Sequence, residues 1–162
     1  MGVGDGNGWV RCRCGLRHWG VFGASGLLLA RPAPDGTPGL EVLLQLRAAW
    51  THQGGTWGIP GGATDSHEDP LTGALRETRE ETGVDPDAVE VLGLVVGADH
   101  GDWIYRVVLG RPVAPVDPRP VTAESDELRW VPVGDVDALV LHPGLASSWW
   151  RLKAELDAVL PA

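Results

Sequence analysis

Glu77, Glu80 and Glu81 stand at positions i, i+3 and i+4 of the segment Arg76-Glu77-Thr78-Arg79-Glu80-Glu81-Thr82-Gly83-Val84. On a helix that spacing gathers the carboxylates on one patch, within ~6 Å along the axis. As bare structure the patch is unfavourable. Like charges four residues apart repel by roughly a few tenths of a kcal/mol, and anions in the last turn oppose the helix dipole. A divalent cation reverses that sign. Carboxylate oxygens are the hard ligands that Mg²⁺ or Mn²⁺ takes, and Mg²⁺ shares its other positions with water and substrate phosphate. The plainer reading is a solvated helix face of Glu–Arg pairs. What comes before the helix weighs against it: Trp57-Gly58-Ile59-Pro60-Gly61-Gly62 is glycine-rich, and small residues let backbone groups approach a metal or a phosphate closely.

From Gly62 the chain runs five residues to Glu68, seven more to Arg76, and on through Val84. This segment resembles, without a gap, the Nudix box of the MutT-like Nudix hydrolases, G-x5-E-x7-R-E-U-x-E-E-x-G-U; Thr78 alone departs, standing where the pattern prefers an aliphatic residue. The resemblance implies that Glu77, Glu80 and Glu81 bind metal, that the Gly62 carbonyl adds a backbone ligand, and that Glu68 acts through water or helps deprotonate it. Arg76 is then the residue that orients a glutamate. Relatives also draw a carboxylate from a loop outside the box. Glu124 is chosen for that role from Glu124-Ser125-Asp126-Glu127-Leu128-Arg129-Trp130, with Glu127 in reserve; a solvated acidic turn is the competing reading.

These residues need a frame. Asp69 is a good N-cap, Pro70 a good first helical residue and Gly83 a C′ stop, which predicts a helix over Pro70 to Thr82. Leu71, Ala74, Leu75, Thr78 and Thr82 fall on one stripe, to be packed on a sheet. Gly20 to Arg31 and Leu40 to Arg47 read as a hairpin across the turn-rich Pro32 to Gly39. Ala48 to Gly62 reads as a loop with a short strand around Trp57 to Ile59, and Arg111 to Glu124 as a proline-rich loop. Val89 to Gly97, Trp103 to Leu109 and Leu128 to Val133 read as strands. Pro143 to Leu160 closes the chain as an amphipathic helix carrying Leu145, Trp149, Leu152, Leu156 and Val159. The order predicts an α/β class, and with the resemblance a Nudix fold: an α/β/α sandwich whose mixed, curved β-sheet is flanked by helices. Residues 1–19 are expected to be a loose N-terminal arm and 20–162 the Nudix hydrolase domain.

The chain has 162 residues, enough for one domain with a real core. Its net charge of −9 repels nucleic acid and anionic membrane, so no nucleic-acid partner is expected. Bound cations can still invert that field locally and admit a polyanion. No stretch approaches the ~18 apolar residues of a membrane span, and no signal peptide is read at the N-terminus. Cys12 and Cys14 cannot build a disulfide framework, which favours a reducing cytoplasm.

Other features carry two readings. Cys12, Cys14 and His18 offer part of a zinc site, yet only three ligands are near, and free thiols are the alternative. Trp50, His52, Gln53 and Trp57 border the glycine loop and could stack on a base or simply pack. His100 and Asp102 precede a strand, facing a cleft or solvent. The resemblance implies magnesium-dependent hydrolysis, with Mn²⁺ as a substitute, of the pyrophosphate bond in a nucleoside diphosphate linked to another group, such as a (d)NTP or ADP-ribose. It also brings the expectation of a homodimer paired through the N-terminal strand. A nucleotide sensor without catalysis and a diphosphate isomerase are the competing classes; the complete carboxylate set argues against the first, and the lack of Cys or His in the Arg76–Val84 segment gives the second no support.

Overall fold

Leu27, Leu28, Leu29 and Ala30 form an apolar run with no polar side, so the strand that holds them must be covered on both faces. The computed structural model describes residues 4–161; Met1–Val3 of the expected arm and Ala162 of the expected domain lie outside the described residues. In it a two-stranded hairpin, β1 (Trp9–Arg11) and β2 (Arg17–Trp19), precedes a seven-stranded sheet. The sheet strands are β3 (Ala24–Pro32), β4 (Leu40–Arg47), β5 (Trp57–Gly58), β6 (Gly61–Ala63), β7 (Val89–Asp99), β8 (Ile104–Pro112) and β9 (Ser125–Pro132). Helix α1 (Pro70–Thr82) lies between β6 and β7, and α2 (Pro143–Val159) ends the fold.

The path β5-β4-β3-β8-β7 is the backbone of the sheet, with β6 added to β3 and β9 to β4. β3 runs parallel to β8 and antiparallel to β4 and β6, so the sheet is mixed. Its two faces are both buried. Leu28, Ala30, Val42, Leu44, Val107 and Leu109 pack with Leu145, Trp149, Leu152 and Leu156 of α2, while Leu27, Leu29, Leu43 and Val108 pack with Ala74, Leu71 and Leu75 of α1. The alternation along β3 thus supplies two cores at once, and the expected α/β/α layering stands.

The bounds expected for α1 are the observed ones: the Asp69 side chain accepts from the Thr72 N–H, and Gly83 sits in the left-handed region at φ 74°. Elsewhere the structure shifts the reading. β7 runs on to Asp99, β8 takes in Arg111 and Pro112, and β9 starts at Ser125, because pairing continues past the β-branched residues that marked these strands. Val159, expected on the buried stripe of α2, is 38% exposed, and Leu160 packs against the core in its place. The expected loose arm contains the β1–β2 hairpin, tied down by Trp9 edge-on to Trp19 and by Arg13 paired with Asp102. Among the described residues no helix is long and apolar enough to cross a membrane.

Because the Asp69 cap satisfies an amide that α1 would otherwise leave bare, Asp69→Ala should cost about 1 kcal/mol. Denaturant unfolding of the variant checks this, with the fold otherwise retained.

Candidate active site

Burial turns one face of α1 into an electrostatic problem. Glu77 and Glu81 are each only 7% exposed. Gly61 donates its N–H to Glu81 Oε2 at 3.0 Å, and a Cβ built at Gly62 would come within 2.6 Å of the Glu77 carboxyl carbon. β6 is therefore pressed against both carboxylates, and glycine is what the approach requires. Sequence reasoning placed Gly62 at the site; the amide contact from Gly61 it did not foresee.

Arg76 is the cation at the centre of this face. It holds Glu68 with two hydrogen bonds, Nε to Oε1 at 2.5 Å and Nη2 to Oε2 at 3.0 Å, and reaches Glu77 at 2.9 Å, Glu80 at 3.5 Å and the Ala63 carbonyl at 3.1 Å. The guanidinium thus locks Glu68 and leans on Glu77. Asp65, which sequence reasoning passed over, lies 3.8 Å from Arg76, is buried, and accepts the Gly6 N–H at 2.9 Å. A lone Asp in a turn carried no signal for it.

Glu124 reaches the patch by another route. The proline-rich loop after β8 donates the Arg119 and Val121 N–H groups to the carbonyls of Thr82 and Glu81, satisfying orphan acceptors at the end of α1. The loop then ends at Glu124, whose carbonyl accepts the Ala48 N–H at 2.8 Å beside an irregularity in the β4–β9 register at Leu46 and Arg47. Glu124 comes close enough to act electrostatically on both Glu77 and Glu81. Glu127 does not join them: it pairs with Arg129 at 2.7 Å.

The carboxylates divide into two kinds. The Arg76 hydrogen bonds hold Glu68 below its ordinary value. Burial, then the neighbouring Glu77 charge, push Glu81 up to about 8, and burial raises Glu77 despite Arg76. Such an acid-raising, oxygen-rich cluster fits a hard divalent cation: a bound charge would offset the penalty that burial imposes on the ionised forms.

The remaining expected residues sort themselves by contact. Trp57 is 7% exposed beneath the Arg129 guanidinium and belongs to the core. His52 lies 5.1 Å from Trp9, its carbonyl accepts from Arg47, and Gln53 takes φ 56° in the same turn. Trp50 is 70% exposed on that loop. His100 and Asp102 engage the β1–β2 hairpin, His100 stacking on His18 and Asp102 pairing with Arg13.

Comparison with known proteins agrees with the geometry. Residues 27–149 match the NUDIX domain, and the chain belongs to that family. It is 51% identical over 155 residues to a Mycobacterium tuberculosis protein named "Putative 8-oxo-dGTP diphosphatase 3", covering 93% of this chain and 70% of that one. It is 46% identical to a Bifidobacterium longum protein named a nucleoside triphosphate pyrophosphatase/Nudix hydrolase fusion protein, covering 97% of this chain and 33% of that one. The crystal structure of a Nudix hydrolase from M. smegmatis superposes with a TM-score of 0.86 at 45% identity, over 98% of each chain. The chain is a Nudix pyrophosphohydrolase by this kinship.

Two outcomes follow from the packing of these groups. Gly62→Ala must displace the Glu77 carboxylate, so a folded variant should need at least roughly tenfold more divalent metal for half-maximal activity; a metal titration of turnover reads it. For Glu81, the folded value of about 8 lies above the ordinary 4.5, so the metal-free native state keeps a proton that the unfolded chain loses between those values. Stability then falls as pH rises through that window, by up to roughly 1.4 kcal/mol per unit. Glu81→Gln removes the loss. In chelator its melting temperature should match that of the unaltered protein near pH 4 and exceed it increasingly toward pH 8.

Proposed function

We propose that this chain cleaves the pyrophosphate bond of a nucleoside diphosphate linked to another group, with Mg²⁺ as its metal and Mn²⁺ as a substitute. The observation that carries the reading is the convergence of Glu77 and Glu81 on the Gly61–Gly62 backbone, with burial opposing their charge and Glu80 alongside, 3.5 Å from Arg76. Glu77, Glu80, Glu81 and the Gly62 backbone would hold the metal, with Glu124 closing the set from the opposite loop. Bound there, the metal would lower the pKa of a coordinated water and neutralise charge on the phosphates.

The chain's own groups do the rest. Glu68 is a poor proton acceptor while Arg76 holds it ionised, so it positions: through Arg76 it fixes Glu77. Glu124 lies half-buried beside Glu81 and is assigned the proton of the attacking water. The water oxygen bonds to one phosphorus as that phosphorus loses its bridging oxygen, giving a nucleoside monophosphate and either pyrophosphate or the phosphorylated second group. Trp50, exposed on the loop that Arg47 anchors through His52, would offer its ring face to a base.

The name carried by the M. tuberculosis relative puts purine deoxynucleoside triphosphates, with and without an oxidised base, first in a substrate panel that also holds ADP-ribose, dinucleoside polyphosphates and sugar nucleotides. With Mg²⁺, one class should yield a monophosphate product. Glu80→Gln and Glu124→Gln should each lower kcat at least roughly hundredfold with melting little changed. Near-normal turnover in either variant removes the corresponding role, and no product from any class overturns the reading.

A further inference from the structure

The turn of the N-terminal hairpin collects a second set of metal-ligating atoms, remote in character from the acidic face. Cys12 Sγ, Cys14 Sγ and a His18 ring nitrogen all lie within 4.8 Å of one another. The pair Cys14 Sγ and His18 Nε2 is 3.3 Å apart. In a tetrahedral zinc site with Zn–S of ~2.3 Å and Zn–N of ~2.0–2.1 Å, neighbouring ligand atoms stand ~3.4–3.8 Å apart. The three atoms therefore need only small rotations to share one ion.

The hairpin is built to hold them so. The Cys12 N–H donates to the Leu16 carbonyl and the Gly15 N–H to the Cys12 carbonyl, with Gly15 at φ 91°, which folds the Cys-x-Cys segment back on itself. The Cys14 N–H points at Cys12 Sγ at 3.4 Å, which keeps the two residues turned toward one another. His18 stacks on Trp103 at 4.4 Å and has the His100 ring beside it at 4.3 Å, so its orientation is set before any ion arrives. Burial and His100 also hold it toward the neutral form, which is the ligating one.

We infer that Cys12, Cys14 and His18 bind one zinc ion, the fourth position going to a water or to His100, whose ring centroid lies 4.3 Å from that of His18. Thiolate and imidazole together select zinc over the hard cations of the carboxylate site. In the metal-free protein the Cys12 thiol donates to the His100 carbonyl, and desolvation, then the hydrogen bond with Cys12, raise the exposed Cys14 thiol. Binding must therefore release both thiol protons, forming two S–Zn bonds as two S–H bonds are lost, and affinity must rise with pH. The ion would pin the hairpin to the β7–β8 turn, where Arg13 already pairs with Asp102, and so steady the Gly6 amide on Asp65 beside Arg76.

Cobalt(II) titration of the full-length reduced protein, stripped of metal, tests this without reference to turnover. One equivalent should give the intense d–d absorption of a tetrahedral ion and a thiolate-to-cobalt charge-transfer band, displaced by zinc. Cys14→Ser and His18→Ala should each lose the charge-transfer band or weaken cobalt binding at least roughly tenfold. Protein isolated with zinc in the medium should retain about one zinc per chain, and Cys14→Ser none. A reduced, folded protein that shows only the weak absorption of octahedral cobalt on carboxylates, or a band unchanged in Cys14→Ser, overturns the assignment.

Discussion

Everything at the acidic face follows from placing Glu77 and Glu81 where water is scarce. Two carboxylates one turn apart would rather be solvated, and the helix dipole gives them no help in the last turn. Arg76 cannot compensate for both, because its best hydrogen bonds go to Glu68. The helix must therefore be held in place by other means. Asp69 and Gly83 cap its ends, Ala74 is fully buried against β3 and β8, and the amides of Arg119 and Val121 close its last carbonyls. The stability of the two cores keeps an arrangement that its charges oppose, and the opposition is what makes a cation welcome.

Glycine has the complementary role on the other side of the contact. Gly61 and Gly62 let β6 lie against the carboxylates with no Cβ between, so Glu81 gains a backbone donor and the site gains backbone in its wall. A residue with a side chain at Gly61 would also strike the Ser25 carbonyl of β3 at 2.4 Å, so sheet pairing and site geometry impose the same demand. The register irregularity at Leu46 and Arg47 works at a larger scale. It turns the end of β4 so that Ala48 receives Glu124, bringing a residue more than forty positions from α1 to the same charges.

What could be read from the residues was whatever local chemistry determines. The bounds of α1 are set by Asp69, Pro70 and Gly83, all of which act within a turn of where they stand, and so they were legible. Apart from β6, whose Gly61 and Gly62 read as loop, the sheet strands were legible in place though not in length, since pairing at Arg111, Pro112 and Ser125 depends on partners far along the chain. The parallel pairing of β3 with β8 was not, and neither was the hairpin, whose glycine- and arginine-rich sequence reads as loose until Trp9, Trp19, Arg13 and Asp102 are seen together. At the site the box residues were legible as a set. Which glutamate Arg76 would take, and that Asp65 would join them, required the folded path of the chain.

The division that Arg76 imposes bears on how the site responds to protons. Glu68 is stabilised as a carboxylate, so it stays charged well into the acid range and contributes little to any titration near neutrality. Glu77 and Glu81 are raised together and feel one another, which makes their protons a property of the pair. A divalent cation competes with those protons for the same oxygens. With metal held there as proposed, acidification would displace it, and the acid side of a pH–rate profile would report metal loss from the pair as much as the pKa of whichever group accepts the proton. Raising the metal concentration would then move such a limb to lower pH.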